Sequence, residues 1–510
     1  MSYKKLLIYL TLTIVGITHA NGEQPNILFI TVDDMSCDSV GVFGSKLADT
    51  TPNIDRLARD GLRFQYAHVQ VGNCMPGRNT MYSGLYNHNN RVEGFYQINE
   101  PHYPHLSDLL QGGGYFTAIF GKVAHSTPYT PYAWSLILEV IDGEKLHAKD
   151  PRSYGLATRR GIQAGKDSGK PFYLNVNVSD PHKPFYGLTN KQQLFDDPFK
   201  PSKFFTPEEV PIPGFLFEDP DVRLELAHYY MSVRRADDAV GEILRALDDS
   251  GQADNTVVML ISDHGMALPW AKTALYHHST HTPWMVRWPG KISPDTIDSE
   301  HMISAVDLTP TLLDIAGIST KAKFDGRSFF PILEGKSQSG RNRVFKEYNE
   351  NSGAGRHPMR GIQTKQFLYL FNPWSDGENK FKTATTGTQT YRSMVKRAET
   401  DPVMAERLRF FDHRVVEELY DVVKDPDCLN NLVNHPDYRN QVENFRSDLE
   451  KWMIDTNDHA LEALQNRKNP QAMYGYVARS QKVANERRAA KQEAQRKARQ
   501  AAAAKKRAGI

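Results

Sequence analysis

The sequence predicts an α/β sandwich built on a large, mostly parallel central sheet, followed by a smaller C-terminal α+β domain with a short antiparallel sheet. Three observations predict it. Continuous apolar, β-rich runs recur through the first part of the chain, as expected of strands buried on both faces. Helical patterns separate these runs, as parallel strands require. After Gly335 the pattern changes to alternating strands and a long helix.

Residues 26–32 are the first apolar run, ending at Asp33-Asp34. Residues 52–62 carry apolar positions at helical spacing and a glycine stop, so a surface helix. Residues 63–69 form a second strand leading into Cys74. A short helix over 106–110 is closed by Gly112-Gly113-Gly114, and a strand over 115–120 ends at Gly121-Lys122. The buried strand 172–178 ends at Ser179-Asp180-Pro181-His182. Residues 186–220, rich in Pro, Phe and Asp, read as a long irregular loop over one face. A long amphipathic helix over 223–248 leads to a strand over 256–261 that ends at Ser262-Asp263-His264-Gly265, and 284–288 is one more strand. In the second domain, 359–371 reads as a hairpin strand, Glu418 to Asp421 as a strand, Asn431-Leu432 as a helix start and 438–456 as a helix. Most of the polar clusters fall at C-terminal ends of strands, where open α/β sheets place their sites.

Composition agrees with a globular enzyme: 510 residues, 40% hydrophobic and 24% charged. The formal net charge of +2 is unevenly spread. From Ser480 to Ile510 ten basic residues face only Glu486 and Glu493, so this end carries +8. With many alanines and no apolar stripe, it is expected to lie outside the fold as a solvated helix or extension. Residues 1–20 read as an export signal: Lys4 and Lys5, an apolar run over 6–17, and a small-residue end at Ala20. The run is too short and Thr-rich for a membrane span, and no later segment is apolar enough. Cys37, Cys74 and Cys428 exclude a disulfide framework; Cys37 and Cys428 could pair or stay free. The organisation expected is a signal over 1–20, a catalytic domain over 21–340, an α+β subdomain over 341–470 and a basic tail over 471–510.

The chemistry centres on Cys74-Met75-Pro76-Gly77-Arg78. Pro76 suits the first turn of a helix, whose N-terminus attracts anions. Arg78 adds planar donors suited to a tetrahedral oxyanion. Asp33, Asp34 and Asp263 converge from the ends of two buried strands and would repel unless a cation sat between them. Such oxygen ligands favour Ca²⁺ or Mg²⁺, whereas His264 beside them is softer.

The spacing Cys-x-Pro-x-Arg resembles the maturation motif of type I sulfatases, in which the cysteine is oxidised to formylglycine; Gly77 stands where the usual form has Ser. The resemblance runs from about Asn26 to Asp458. It implies an alkaline-phosphatase-like sandwich and one divalent cation, most simply Ca²⁺, held by Asp33, Asp34, Asp263, His264 and an oxygen of modified Cys74. His264 replaces the family's usual Asn, as in its iduronate 2-sulfatase branch. Gly121-Lys122-Val123-Ala124-His125 resembles the family's Gly-Lys-x-His segment, stretched by one residue. Asp180-Pro181-His182 resembles the next histidine segment, and Lys272 the lysine that contacts sulfate. Arg78, Lys122, His182 and Lys272 would bind the sulfuryl group. His182 would protonate the leaving group, aided by Lys272, and His125 would take the proton that lets sulfate go. Gly326-Arg327-Ser328, His357-Pro358-Met359-Arg360 and residues 452–458 look closest to the branch that removes N-linked sulfate from glucosamine. The implied partners are a sulfated carbohydrate and a formylglycine-generating maturation enzyme, with no nucleic acid and no membrane span, in an exported protein. Rival readings are a phosphatase or phosphodiesterase of the same wider fold, which usually carries a two-zinc cluster, and a degenerate polyanion-binding protein.

Overall fold

The computed structural model describes residues 24–98, 100–353 and 355–507; the expected signal at 1–20 lies outside them. The large sheet contains β1 (Asn26–Asp33), β2 (Leu62–His68), β3 (Phe116–Phe120), β4 (Leu136–Ile137), β7 (Phe172–Pro181), β8 (Thr256–Ser262), β9 (Trp284–Arg287) and β10 (Thr296–Ser304). A two-residue ribbon, β5 (Val140–Ile141) and β6 (Glu144–Lys145), sits apart. The strand order is β10-β2-β9-β8-β1-β7-β3-β4. All neighbours pair in parallel except β9, which runs against β2 and β8. Every residue of β1 is buried. Its side chains alternate between two cores: Leu28, Ile30 and Val32 on one face, Ile27 and Phe29 on the other. The helix Pro220–Asp249, N-capped by Asp219, supplies Val233, Val240 and Leu244 to the first core. Helix Cys74–Ser83 and helix Leu308–Ile315 supply Met81 and Leu312 to the second.

The second sheet is antiparallel: β11 (Arg343–Glu350), β12 (Arg356–Thr364), β13 (Phe367–Phe371) and β14 (Glu417–Asp421), in that order. Helix Arg439–Asp455 covers it with Val442, Phe445 and Leu449. The sequence expectation of one hairpin strand over 359–371 resolves into β12 and β13. Asn431-Leu432 is not a helix start: Leu432 N donates to Leu419 O at 2.8 Å, and the helix begins at Arg439.

The tail meets the expectation of a solvated helix beyond Arg488, where the described side chains are largely exposed, and departs from it nearer its start. Helix Pro470–Arg507 buries Met473, Tyr476 and Ala484. Arg487 pairs with Glu350 and stacks 3.6 Å from the Tyr96 ring centroid, and Arg356 Nε donates to Ser480 Oγ at 2.7 Å. The segment docks through Arg488, whose guanidinium reaches Gly353 O. Met473, Tyr476 and Val477 dock the helix start on the C-terminal core, and from Ser480 onward the Arg487–Glu350 pair and Ala484 continue the contact without an apolar stripe. No described helix is long and apolar enough to cross a membrane.

Candidate active site

The adjacent strands β8, β1 and β7 deliver Asp263-His264, Asp33-Asp34 and Asp180-Pro181-His182 to one edge of the sheet. Helix Cys74–Ser83, which follows β2, points its first residue at the same place. Cys74 Sγ lies 3.3 Å from His264 Nε2 and 3.9 Å from Asp34 Oδ1. Ligand atoms of Asp33, Cys74, Asp263 and His264 fall within 4.8 Å of one another, and so do those of Asp34, Cys74 and His182.

Cations bracket these acids. Arg78 is fully buried; Nε and Nη2 each lie 3.0 Å from Asp263 Oδ2. Its Nη1 donates to Thr31 Oγ1 and Asn177 Oδ1, both at 2.7 Å. Lys122 pairs with Asp33, and Lys272 Nζ donates to both oxygens of Asp34 at 2.7 Å. Two of the site's residues, Asp34 (φ 70°) and Lys122 (φ 51°), are left-handed without being glycine, at a cost of about 1–3 kcal/mol each.

Burial and charge set the protonation states. Burial alone would raise Asp33, but Lys122, His182 and Arg78 outweigh it and hold the carboxyl well below the usual range. Against the same burial, Lys272 and then His182 lower Asp34. Burial and the neighbouring Asp33 push Asp263 up, to about 6. Burial, then the Asp33 charge, drives the Cys74 thiol well above its ordinary value. His182 is lowered to about 4 by burial and Lys272, and His125 to about 3 by burial and Lys122. Both imidazoles are therefore neutral near pH 7. His182 Nδ1 lies 2.6 Å from the Lys183 carbonyl, so it carries the proton and leaves Nε2 open. His264 Nδ1 likewise donates to Gly265 O at 2.9 Å, turning Nε2 toward the acids.

A hard cation fits this locus. Asp33 Oδ1 is buried and lacks a hydrogen-bond partner, and the candidate donors are the carboxylates of Asp33, Asp34 and Asp263 and the His264 imidazole. The other acidic cluster among the described residues, His88, Glu347 and Asp458, is occupied by Arg360 and lies outside the site. All three cysteines are free thiols.

The structure brings Asp33, Asp34, Cys74, Arg78, Lys122, His182, Asp263, His264 and Lys272 together. His125 is on the short helix Val123–Ser126, with Nδ1 buried and unpartnered. Sequence reasoning missed the residues that hold these. Asn177 and Thr31 anchor Arg78. Lys149 Nζ donates to Asp180 Oδ1 (2.6 Å) and to the His182 carbonyl (2.7 Å), and Arg235 Nε takes the other Asp180 oxygen at 2.6 Å. A signal existed for one: Asn175 and Asn177 put polar side chains at alternate positions of an otherwise apolar strand.

Comparison with known proteins bears on the chain as a whole. A family model described as Sulfatase matches residues 25–318, and one described as N-sulphoglucosamine sulphohydrolase, C-terminal, matches 263–379. Human N-sulphoglucosamine sulphohydrolase is 29% identical over 482 residues, covering 88% of this chain and 93% of that one. An ulvan-active sulfatase of Formosa agariphila is 24% identical over 493 residues, covering 86% and 76%. A solved 2-O GAG sulfatase superposes with a TM-score of 0.62 at 20% identity, covering 88% and 96%.

Proposed function

The chain belongs to the sulfatase family and has the alkaline-phosphatase-like fold of that family, and from this premise we propose that it releases sulfate from a sulfated carbohydrate, with residue 74 acting as formylglycine. The observation that carries the reading is the place of Cys74: a buried helix start ringed by Asp33, Asp34, Asp263 and His264, with Arg78, Lys122 and Lys272 beside it. As formylglycine, residue 74 supplies a hydroxyl nucleophile and a second hydroxyl on the same carbon from which sulfate can be expelled, which neither a thiol nor a serine provides. Asp33, Asp34, Asp263 and His264 would hold one divalent cation, Ca²⁺ before Mg²⁺, which when bound supplies Lewis acidity.

The chain's own groups do the rest. Arg78, Lys122 and Lys272 are fixed by their carboxylate partners, so their remaining N–H groups are oriented before an anion arrives. His182 enters neutral. A bound sulfate ester adds negative charge beside Nε2 and favours its protonation, which makes it the acid for the leaving oxygen or nitrogen. His125, also neutral, has the open Nδ1 to take the proton whose loss releases sulfate. Lys149 and Arg235 hold Asp180 and with it the His182 turn.

A second reading, cleavage of N-linked sulfate from glucosamine, is supported by the C-terminal match over residues 263–379 and by the human relative. Sulfate release over a panel of O- and N-sulfated oligosaccharides tests both. Nitrophenyl phosphate turned over faster than nitrophenyl sulfate would favour the phosphatase rival instead. A leader at residues 1–20 and a formylglycine-generating enzyme complete the proposal: maturation accompanies export.

A further inference from the structure

A cavity of about 1050 Å³ lies between the antiparallel C-terminal sheet with its following loop and helix Pro470–Arg507. That volume is at the upper end of the roughly 300–1,000 Å³ range of ligand sites. His357, Trp374, Lys382 and Arg409 line one wall, and Tyr474 and Lys482 of helix Pro470–Arg507 the other. One loop separates the cavity from the site. Lys380 and Lys382 line the cavity, while Thr383 hydrogen-bonds Thr273, next to Lys272, and Ala384 O accepts from Lys183 Nζ at 3.2 Å, next to His182.

The lining is cationic and its polar atoms are under-satisfied. Among the described residues Lys382, Arg409 and Lys482 have no ion pair. Opposing them are Glu486 and Asp376, and Asp376 is engaged by the amides of Glu378 and Asn379 in its own turn. Trp374 Nε1 and His357 Nδ1 have no hydrogen-bond partner although their residues are only 2% and 7% exposed. Buried polar groups are rarely left so. Tyr474, 60% exposed, adds an aromatic face of the kind sugars stack on. The tail wall is anchored by the Arg487–Glu350 pair, so the cavity is built rather than transient.

We propose that this cleft is a second saccharide subsite, holding an anionic sugar unit (sulfated or carboxylated) of the chain whose neighbouring unit is being desulfated. The inference rests on the sulfated-carbohydrate reading above. Unpaired cations recognise the anionic substituents, and Tyr474 supplies the platform for a ring.

The test uses full-length matured enzyme. Wild type is run on the oligosaccharide panel, and the glycan it desulfates fastest is then compared as disaccharide and as hexasaccharide. For Lys382→Ala/Lys482→Ala and for Tyr474→Ala, the KM on hexasaccharide is expected to rise about tenfold, and nitrophenyl sulfate kcat/KM to stay within about twofold. Glu486→Gln removes an opposing charge and should lower the hexasaccharide KM, a gain that misfolding cannot produce. An unchanged hexasaccharide KM in all three, with sulfate still released by wild type, overturns the subsite and leaves the enzymatic reading standing. Wild type that hydrolyses nitrophenyl sulfate but no saccharide overturns both.

Discussion

Activity should depend on oxidation of Cys74 to the aldehyde in strict proportion. The perturbation is expression with and without the maturation enzyme, giving preparations with graded aldehyde content. An ordinary thiol is only a few per cent ionised at pH 7. At residue 74, burial and the Asp33, Asp263 and Asp34 charges, opposed only by Lys272 among the nearest groups, push the thiol well above that, so the thiolate fraction falls further. Ionisation alone then costs at least about 30-fold. A thiol that did attack sulfur would also stop after one turnover, having no second hydroxyl on its carbon. Unmodified protein should therefore retain below about 10⁻³ of matured kcat, comparable in kind to losing a catalytic nucleophile. Peptide mass spectrometry gives the aldehyde fraction and nitrophenyl sulfate the rate. The plot of rate against fraction should be a straight line through the origin, and Cys74→Ser should fall on the zero point. A positive intercept above about one per cent of the matured rate, carried by protein shown to be thiol only, would refute the argument.

Chelation should abolish sulfate release and lower the melting temperature, and Ca²⁺ should restore both; at a hundred times its Kd a bound ion adds about 2.7 kcal/mol of stability. An unchanged melting curve after metal removal would count against the Asp33–Asp263 locus. Arg360 is fully buried, bridging Asp458 and Glu347 and donating to Asn349 Oδ1 at 3.0 Å. Arg360→Met leaves Asp458 without its buried partner, while Glu347 keeps His88, and should cost about 3–5 kcal/mol in urea unfolding, partly recovered in Arg360→Met/Asp458→Asn. His88 lies 2.7 Å from Glu347. Burial opposes its charge, but Glu347 outweighs burial and lifts it to about 9. Its folded pKa is raised, so its stabilisation is complete below about pH 6.5 and is lost as pH rises through about 9, at most about 3 kcal/mol. His88→Asn should flatten that part of the stability–pH curve, and a curve of unchanged slope would contradict the assignment.

What could be read from the sequence was what sits at a strand end or inside a short motif. Asp33-Asp34 and Asp263-His264 each follow a buried run, so their convergence needed only the parallel pairing of β1 with β8. Lys272 sits on an irregular segment, and only the fold seats it on Asp34. The supports of the site come from distant segments: Thr31, Asn177 and Arg78 meet through strand register, and Lys149 precedes a helix that carries no motif. Helix Pro151–Asp167, helix Gln389–Ala398 and helix Pro402–His413 were not read, because their apolar stripes are interrupted by glycine or by charge. The docking of the tail's first turns is illegible for the complementary reason: Arg487 pairs with Glu350 and Ser480 accepts from Arg356, and a charge run in sequence looks the same whether its partners are water or Glu350.

The charge count of the site bears on the choice between sulfate and phosphate. Asp33, Asp34 and Asp263 face Arg78, Lys122 and Lys272 as direct partners, so the residues alone approach neutrality. Neutrality suits folding, since unbalanced charge in a buried locus is what desolvation penalises. It does not by itself attract an anion. One divalent cation would bring the locus to about +2, enough to favour a sulfate monoester with its single negative charge. A phosphate monoester dianion asks for more, which a second metal ion supplies in two-metal sites. Here Lys122 and Lys272 pair with Asp33 and Asp34, and the neighbouring group of Asp34 and His182 shares residue 74 with the first cluster rather than forming a separate set of ligands. Lys272→Met is therefore expected to weaken binding of sulfate esters more than it alters the preference for them, and adding an acid in its place should not create a phosphatase without a second set of ligands.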